Sequence, residues 1–333
     1  MSQANQVAVL LNRNAKRVND RVVRNVHQWV PSHQVYATGS EEEAVAAVRD
    51  ILDRGYTSVF AGGGDGTVMS LVNTLNKEAG QRPWPRIGVL RLGTGNALAH
   101  MVSTGAPEDD LRAFLTQQQS DDLPISMMED DEGTLFPFAG VGLDAQILND
   151  YNSFKNSVGK TFAAPVVNTV AGYFAAAFTK TIPRRIGRFV QRKDMNVRVR
   201  STGDQAFKIG ENGVVQDFYE EGALLYEGPF SMLVSGTTPY YGYGMKMLPF
   251  ARRYPSMFQL RVTNANVAKT LAILPRIWDG TYQGKAVTDF AAEAVEIEFN
   301  EPLPYQVGGD ASGIRQKLCF RVSPQPMNLI RLI

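Results

Sequence analysis

Twice in the first third of the chain, a short apolar run passes through a cluster of glycines into a segment of helical spacing. The stretches are TSVFAGGGDGTVMSLVNTLN at 57–76 and RIGVLRLGTGNALAHM at 86–101. A short apolar run bounded by glycine reads as a buried strand, and a longer run with apolar residues three and four apart reads as a helix. The surroundings keep the same grammar. QVAVLL at 6–11 reads as a strand, 18–29 as helical, 33–37 as a short strand and Glu41–Leu52 as a helix. Ser40 can cap that last helix with Glu43 three residues on, and Ala44, Val45, Val48, Ile51 and Leu52 form its apolar stripe. Strand and helix alternating at short intervals predict a doubly wound parallel sheet with helices on both faces.

The pattern changes after about residue 122. LFPFAGVGL, DMNVRVRS, SMLVSG, FQLRVTN and AVEIEFN are strand-like, and a single long helical region, 146–180, interrupts them. A second domain of antiparallel strands is expected. The chain of 333 residues is long enough for two domains, and 44% hydrophobic residues supply their cores. A net charge of +1 argues against a strongly basic nucleic-acid binder. The lone Cys319 fits a reducing compartment and reads as a small core residue. His27, His33 and His100 have no zinc-ligand spacing. No secretory signal is evident at the N-terminus. The apolar stretch 162–178 is broken by Pro165, Asn168 and Thr169 and is short for a membrane span. It reads as a packed amphipathic helix or as a segment lying on a bilayer.

In an open parallel sheet, ligands bind beyond the carboxyl ends of the strands. Both glycine clusters stand at such ends. Glycines let the backbone approach a ligand, and the N–H groups of the following helix attract anions. GGGDGT is not a dinucleotide fingerprint, because Thr67 holds the last glycine's place, and no lysine follows to make a Walker loop. Two such turns, one βαβ unit apart, can grip a polyphosphate from two sides. The acid between the glycines, Asp65, then suits either of two tasks: contact with Mg²⁺, or acceptance of a proton from an attacking hydroxyl. Both belong to phosphoryl transfer. Thr67 and Asn96 suit phosphate donors, helix N-caps or both.

GGGDGTVMSLVNTL followed by LGTGNALAH resembles the diacylglycerol kinase catalytic-domain superfamily, and the resemblance covers nearly the whole chain. LLNRN at 10–14 is similar to its Asn-Pro motif, with Asn12 matching and Arg13 in place of proline. Thr38 matches a nucleotide-contacting threonine, FAGVGLDA its GxDA motif with Asp144, and GYGMKMLPFA at 242–251 its glycine-rich, proline-ended segment. The resemblance implies an α/β nucleotide-binding domain over 1–122, joined by a returning segment 322–333, and a C-terminal β-sandwich over 123–321. It implies ATP in the cleft between them, held by Asn12, Thr38, Gly62, Gly63, Gly64, Gly66, Thr67, Gly93, Thr94, Gly95 and Asn96, with Mg²⁺ on its phosphates. Ala97 after Asn96 is nearer to the sphingosine and ceramide branch than to diacylglycerol kinases.

Two departures stand out. Where bacterial members carry Asp-Gly-Glu, this chain reads Gly308-Gly309-Asp310, so Asp310 takes the place of the proton-accepting Glu or serves as a turn acid. Beyond Pro249 come Arg252 and Arg253 in place of the acids that hold a structural Mg²⁺, which argues against that metal site. Asp144 can orient an acceptor hydroxyl or brace a loop. The expected activity is an ATP-dependent lipid kinase with catalytic Asp65 and Asp310. It would be cytoplasmic, meeting its lipid at a membrane surface through the basic run 180–193, with a homodimer left open. The alternatives are a non-catalytic nucleotide or lipid sensor and a kinase of a soluble acceptor.

Overall fold

The computed structural model describes residues 7–93, 97–102, 105–116, 120–146, 195–241 and 244–332. The chain divides into two compact units. One comprises Met1–Ser126, Gly242–Gly244 and Pro324–Ile333, the other Met127–Tyr241 and Met245–Ser323.

The first unit is α/β. Its strands are β1 (Val7–Asn12), β2 (Val35–Thr38), β3 (Ser58–Gly63), β4 (Arg86–Arg91), β5 (Ser120–Ile125) and, from the far end of the chain, β18 (Met327–Leu332). They form a six-stranded sheet in the order β2-β1-β3-β4-β18-β5. Among the described residues, only the β18–β5 pairing in this sheet is antiparallel. The chain steps from β1 outward to β2, then back across β1 to β3. The carboxyl ends of β1 and β3 therefore flank a topological switch point, where open α/β sheets bind ligands.

Both faces of this sheet are covered, because its central strands are apolar on both sides. Val7, Val9 and Leu11 share one core with Phe60, Leu90 and Ile330. Val26 of helix α1 (Asp20–Val26) and Leu111 and Phe114 of α5 (Pro107–Leu115) complete that core. The alternate residues Ala8, Leu10, Val59 and Ala61 are equally buried and face the other way. Helix α2 (Glu41–Asp53) buries Ala47, Val48, Ile51 and Leu52, and α3 (Asp65–Glu78) buries Val68, Leu71, Val72 and Leu75. Ser40 caps α2 by accepting from Glu43 N, while the Glu43 carboxylate reaches back one residue further than a capping box requires, to Gly39 N at 2.6 Å. A four-residue helix, α4 (Ala99–Val102), follows the second glycine turn.

The second unit is an antiparallel β-sandwich. Its twelve strands among the described residues enclose a core that includes Val197, Leu233, Phe258, Phe290, Ile297 and Phe320. Its strands include β8 (Phe138–Gly142), β13 (Met232–Gly236), β16 (Ala294–Val307) and β17 (Asp310–Val322). β16 pairs with β9 (Asn196–Ser201) through Val295–Phe299 and with β8 through Tyr305–Val307. Pro302 and Pro304 stand where it changes partner, next to register shifts against β17.

The sequence reading needs two corrections here. A helix, α6 (Val267–Trp278), lies between β14 (Phe258–Thr263) and β15 (Val287–Ala292), so 146–180 is not the only helical candidate among the sandwich strands. The Asn266 side chain caps it by accepting from Lys269 N, and Pro275, which breaks a helical reading of the sequence, sits in its last turn. Helix α1 is also shorter than the 18–29 expected. The expected helical region, the apolar stretch 162–178 and the basic run 180–193 fall outside the described residues, apart from the start of the first. No helix among the described residues is long and apolar enough to cross a membrane.

Candidate functional site

Four strand ends meet at one edge of the parallel sheet. Asn12 ends β1 beside Thr38, which ends β2. Leu11 pairs with Gly62, and Gly63 pairs with Arg91 at the end of β4. Strand pairing alone thus gathers Asn12, Thr38, Gly62 and Gly63 and brings Leu92 and Gly93 beside them. The Asn12 side chain works in both directions. Its Nδ2 donates to Thr67 Oγ1 at 3.1 Å, and its Oδ1 accepts from Asn14 N at 2.9 Å, which turns the chain out of β1. Thr67 is therefore not the N-cap of α3. Gly64 occupies that position, and Thr67 lies in the first turn with Asp65 and Gly66.

The glycines are a matter of clearance. A Cβ on Gly93 would stand 2.1 Å from Gly64 Cα, so the two turns touch backbone to backbone. A Cβ on Gly63 would stand 2.1 Å from Thr67 Oγ1. Leu92 N donates to Gly63 O at 3.1 Å and joins the turns once more. Across this contact lies Asp65. Its Oδ2 accepts from Ala97 N at 2.8 Å and its Oδ1 from Leu98 N at 3.0 Å. One carboxylate from the first turn thus holds the backbone that follows the second. Thr94, Gly95 and Asn96 fall outside the described residues. Nearby, burial raises the Asp110 carboxyl above its ordinary value, opposed by the bond it accepts from Gly105 N and by Arg91.

The remaining acids are in the β-sandwich. Asp144 is buried just past β8. Its Oδ2 accepts from Gln306 Nε2 at 3.1 Å, and a Cβ on Gly140 would stand 1.9 Å from that same oxygen. Asp310 is exposed at the start of β17. It faces Val307 across a two-residue hairpin turn whose glycines, 308 and 309, have φ of 57° and 89°. Both values lie in the region that favours glycine, and together they mark a type I′ turn. The proline-ended segment is pinned from the side. Buried Arg261 and Asp289 face each other on β14 and β15 in a bidentate pair, at 2.8 and 2.9 Å. Arg261 also donates to Met247 O at 3.0 Å, and Gln259 links Asp289 to Phe250 N. Past Pro249, Arg253 donates to Asn212 O at 2.7 Å, so this segment is closed by a guanidinium where carboxylates would be needed for a cation.

The structure therefore assembles Asn12, Thr38, Gly62, Gly63, Gly64, Asp65, Gly66, Thr67 and Gly93 in one unit, and Asp144 and Asp310 in the other. Sequence reasoning missed Gln306, a buried polar side chain in a strand whose other inward residues are apolar. Among the described residues no three His, Cys, Asp or Glu side chains cluster as a metal cage. Mg²⁺ suits such a site when substrate phosphates supply most of its ligands and a single carboxylate assists, directly or through water.

Residues 6–128 match the diacylglycerol kinase catalytic domain, and residues 220–331 match the YegS C-terminal NAD kinase beta sandwich-like domain. No curated protein is significantly similar in sequence. Three solved structures from Bacillus anthracis str. Sterne share the fold. Two are candidate diacylglycerol kinases: one at 15% identity and a TM-score of 0.65, over 98% of this chain and 97% of that one; the other at 16% and 0.63, over 96% and 94%. The third, a diacylglycerol kinase, matches at 14% identity and 0.62, over 97% and 96%.

Proposed function

The chain belongs to the diacylglycerol kinase catalytic-domain superfamily, and from that premise we propose that it transfers the γ-phosphate of ATP to a hydroxyl of a membrane lipid. The observation that carries this reading is the pair of glycine turns in backbone contact at the switch point, tied by Asp65. Positioning and charge neutralisation supply most of the catalysis in phosphoryl transfer. Turns without side chains let phosphate oxygens reach backbone N–H groups, and Asn12 and Thr67 add polar side chains beside them. When bound, Mg²⁺ would neutralise charge on the phosphates, and Asp65 would be the carboxylate to assist it.

The Asp65 oxygens each accept a backbone N–H, so the residue holds the two turns together as well as adding negative charge. That leaves Asp310 as the acid suited to accept the proton of the attacking hydroxyl. Asp310→Ala is expected to lower kcat by roughly 10²–10⁴, the range for loss of a general base, while Asp310→Glu keeps turnover of the wild-type order. Equal, mild effects would return that role to Asp65.

The test of the function itself is labelled ATP with Mg²⁺ and vesicles of diacylglycerol, sphingosine, ceramide or phosphatidylglycerol, beside soluble sugars and nucleosides. Transfer to a lipid supports the reading. Transfer only to a soluble acceptor overturns the lipid assignment. Nucleotide binding with no transfer favours a sensor, a reading that the loss of the first acid at Gly308 supports.

A further inference from the structure

Two consecutive glycines give a chain its greatest freedom, and fixing them costs more conformational entropy than fixing any other pair. A carboxylate placed directly after Gly308-Gly309 has a defined position only if something holds the turn. Gly308 N donates to Phe138 O at 2.9 Å, which anchors the first half. The second half is anchored by a side chain. Gln306 Oε1 accepts from Gly309 N at 2.9 Å, one residue before Asp310.

The other end of the same amide explains why glutamine stands there. Gln306 Nε2 donates to Asp144 Oδ2 at 3.1 Å and lies 3.5 Å from Tyr241 Oη. The Tyr241 hydroxyl gives its own proton to Ala139 O at 3.0 Å, so towards Gln306 it accepts. A backbone N–H can only donate, and a carboxylate can only accept. The amide has one orientation that satisfies all three neighbours, oxygen to the turn and nitrogen to the acid. Gln306 is 3% exposed, so neither end can exchange its partner for bulk water. Gly140 pairs with Gln306 across the sheet, and its missing Cβ is the clearance through which Asp144 arrives.

We propose that Gln306 is a positioning residue, which couples buried Asp144 to the hairpin turn and thereby fixes the place of Asp310. The proposal rests on the phosphoryl-transfer reading for its kinetic consequences and on the hydrogen bonds alone for its structural ones. Among the described residues, the titratable groups facing the amide are Asp144 from the segment after β8 and Tyr241 from the segment after β13.

Two substitutions separate the two ends. Gln306→Leu keeps the size and removes both bonds. Gln306→Glu keeps the acceptor for Gly309 N but sets a second carboxylate against Asp144. In steady-state transfer from ATP, Gln306→Leu is expected to lower kcat by about 10²-fold, the effect of a small misplacement, with KM for ATP unchanged. Gln306→Glu should be as poor as Gln306→Leu at pH 8 and recover as pH falls, because a single proton shared by the two carboxyls restores the missing donor. The wild type should show no such recovery. Hydrogen exchange of the 303–314 hairpin, measured on the full chain, should show the Gly309 amide exchanging faster in Gln306→Leu. Wild-type kcat in Gln306→Leu, an unaltered pH profile in Gln306→Glu, or unchanged protection at Gly309 each overturns the proposal. If the wild type transfers no phosphate to any acceptor, the functional reading fails, and the exchange result decides Gln306 by itself. If Gln306→Leu does not fold, the pH-dependent recovery of Gln306→Glu decides.

Discussion

Gly93→Ala is the substitution that most directly tests whether contact between the two glycine turns matters. The added Cβ would stand 2.1 Å from Gly64 Cα, 2.7 Å from Gly64 N and 3.0 Å from Gly63 O, all backbone atoms that no rotamer change can move aside. Reaching an ordinary contact at 3.4 Å requires the turns to part by about 1.3 Å. The Asp65 bonds to Ala97 N and Leu98 N, at 2.8 and 3.0 Å, do not survive a shift of that size. Each is a hydrogen bond to a charged group, contributing roughly 1.5–3 kcal/mol, so a stability loss of at least about 3 kcal/mol is expected. Gly64→Ala is the control. Its Cβ would meet Gly93 Cα at 3.4 Å, an ordinary contact, and the residue's φ of −102° suits any side chain. The two variants add the same methyl group to opposite sides of one contact. Urea unfolding should show Gly93→Ala destabilised and Gly64→Ala close to wild type in stability, and nucleotide titration should show Gly93→Ala weak in ATP binding. Equal behaviour of the pair, in either direction, would refute the argument.

Two further outcomes follow from buried charge. Arg261→Met leaves Asp289, 6% exposed, without its guanidinium and should cost about 3–5 kcal/mol in urea unfolding, whereas Arg261→Met with Asp289→Leu should recover a large part; equal losses would mean that the pair contributes only packing. Burial raises the Asp110 carboxyl above 3.8, so the folded state holds that proton more tightly than the unfolded chain and stability falls as pH rises from that value through the raised one. Asp110→Asn should therefore gain on the wild type across that window and keep a constant advantage at neutral pH, and a difference independent of pH from 3 to 7 would count against burial as the cause.

The first unit was legible because its signals are local. Each central strand is an uninterrupted apolar run, and Ser40 marks the start of α2 within its own turn of sequence. The stripe on α2 was only half right. Ala47 is buried with Val48, Ile51 and Leu52, while Ala44 and Val45 are partly exposed, because α2 packs on both the sheet and α3. Asp65 was visible as the one acid among glycines, but its partners were not. Ala97 and Leu98 reach it only once β3 and β4 are paired and the second turn is folded beside the first. In the β-sandwich, helix α6 was hidden by Pro275. Gln306 was hidden more thoroughly, because its role depends on atoms from β8, the segment after it and the hairpin turn, and none of these is close to it in sequence except the last.

The hairpin tip separates what the fold requires from what the chemistry requires. Gly308 and Gly309 both have positive φ, and a type I′ turn accepts Asp-Gly as readily as Gly-Gly, since aspartate tolerates the first position. The backbone of the turn therefore accepts Asp at 308, and extending Asp310 to Glu at an exposed strand position costs little. The double variant Gly308→Asp, Asp310→Glu should unfold in urea within about 1 kcal/mol of wild type. Gly309→Ala should not. Nothing lies within 4 Å of its Cβ, so the whole penalty is the backbone strain of a side chain at φ of 89°, of order 1–3 kcal/mol. If the sequence Gly-Gly-Asp reflects chemistry alone, the double variant will change turnover without changing stability. A double variant that unfolds as early as Gly309→Ala would show that the glycines are held by the fold, and the departure at Gly308 would then say nothing about the reaction.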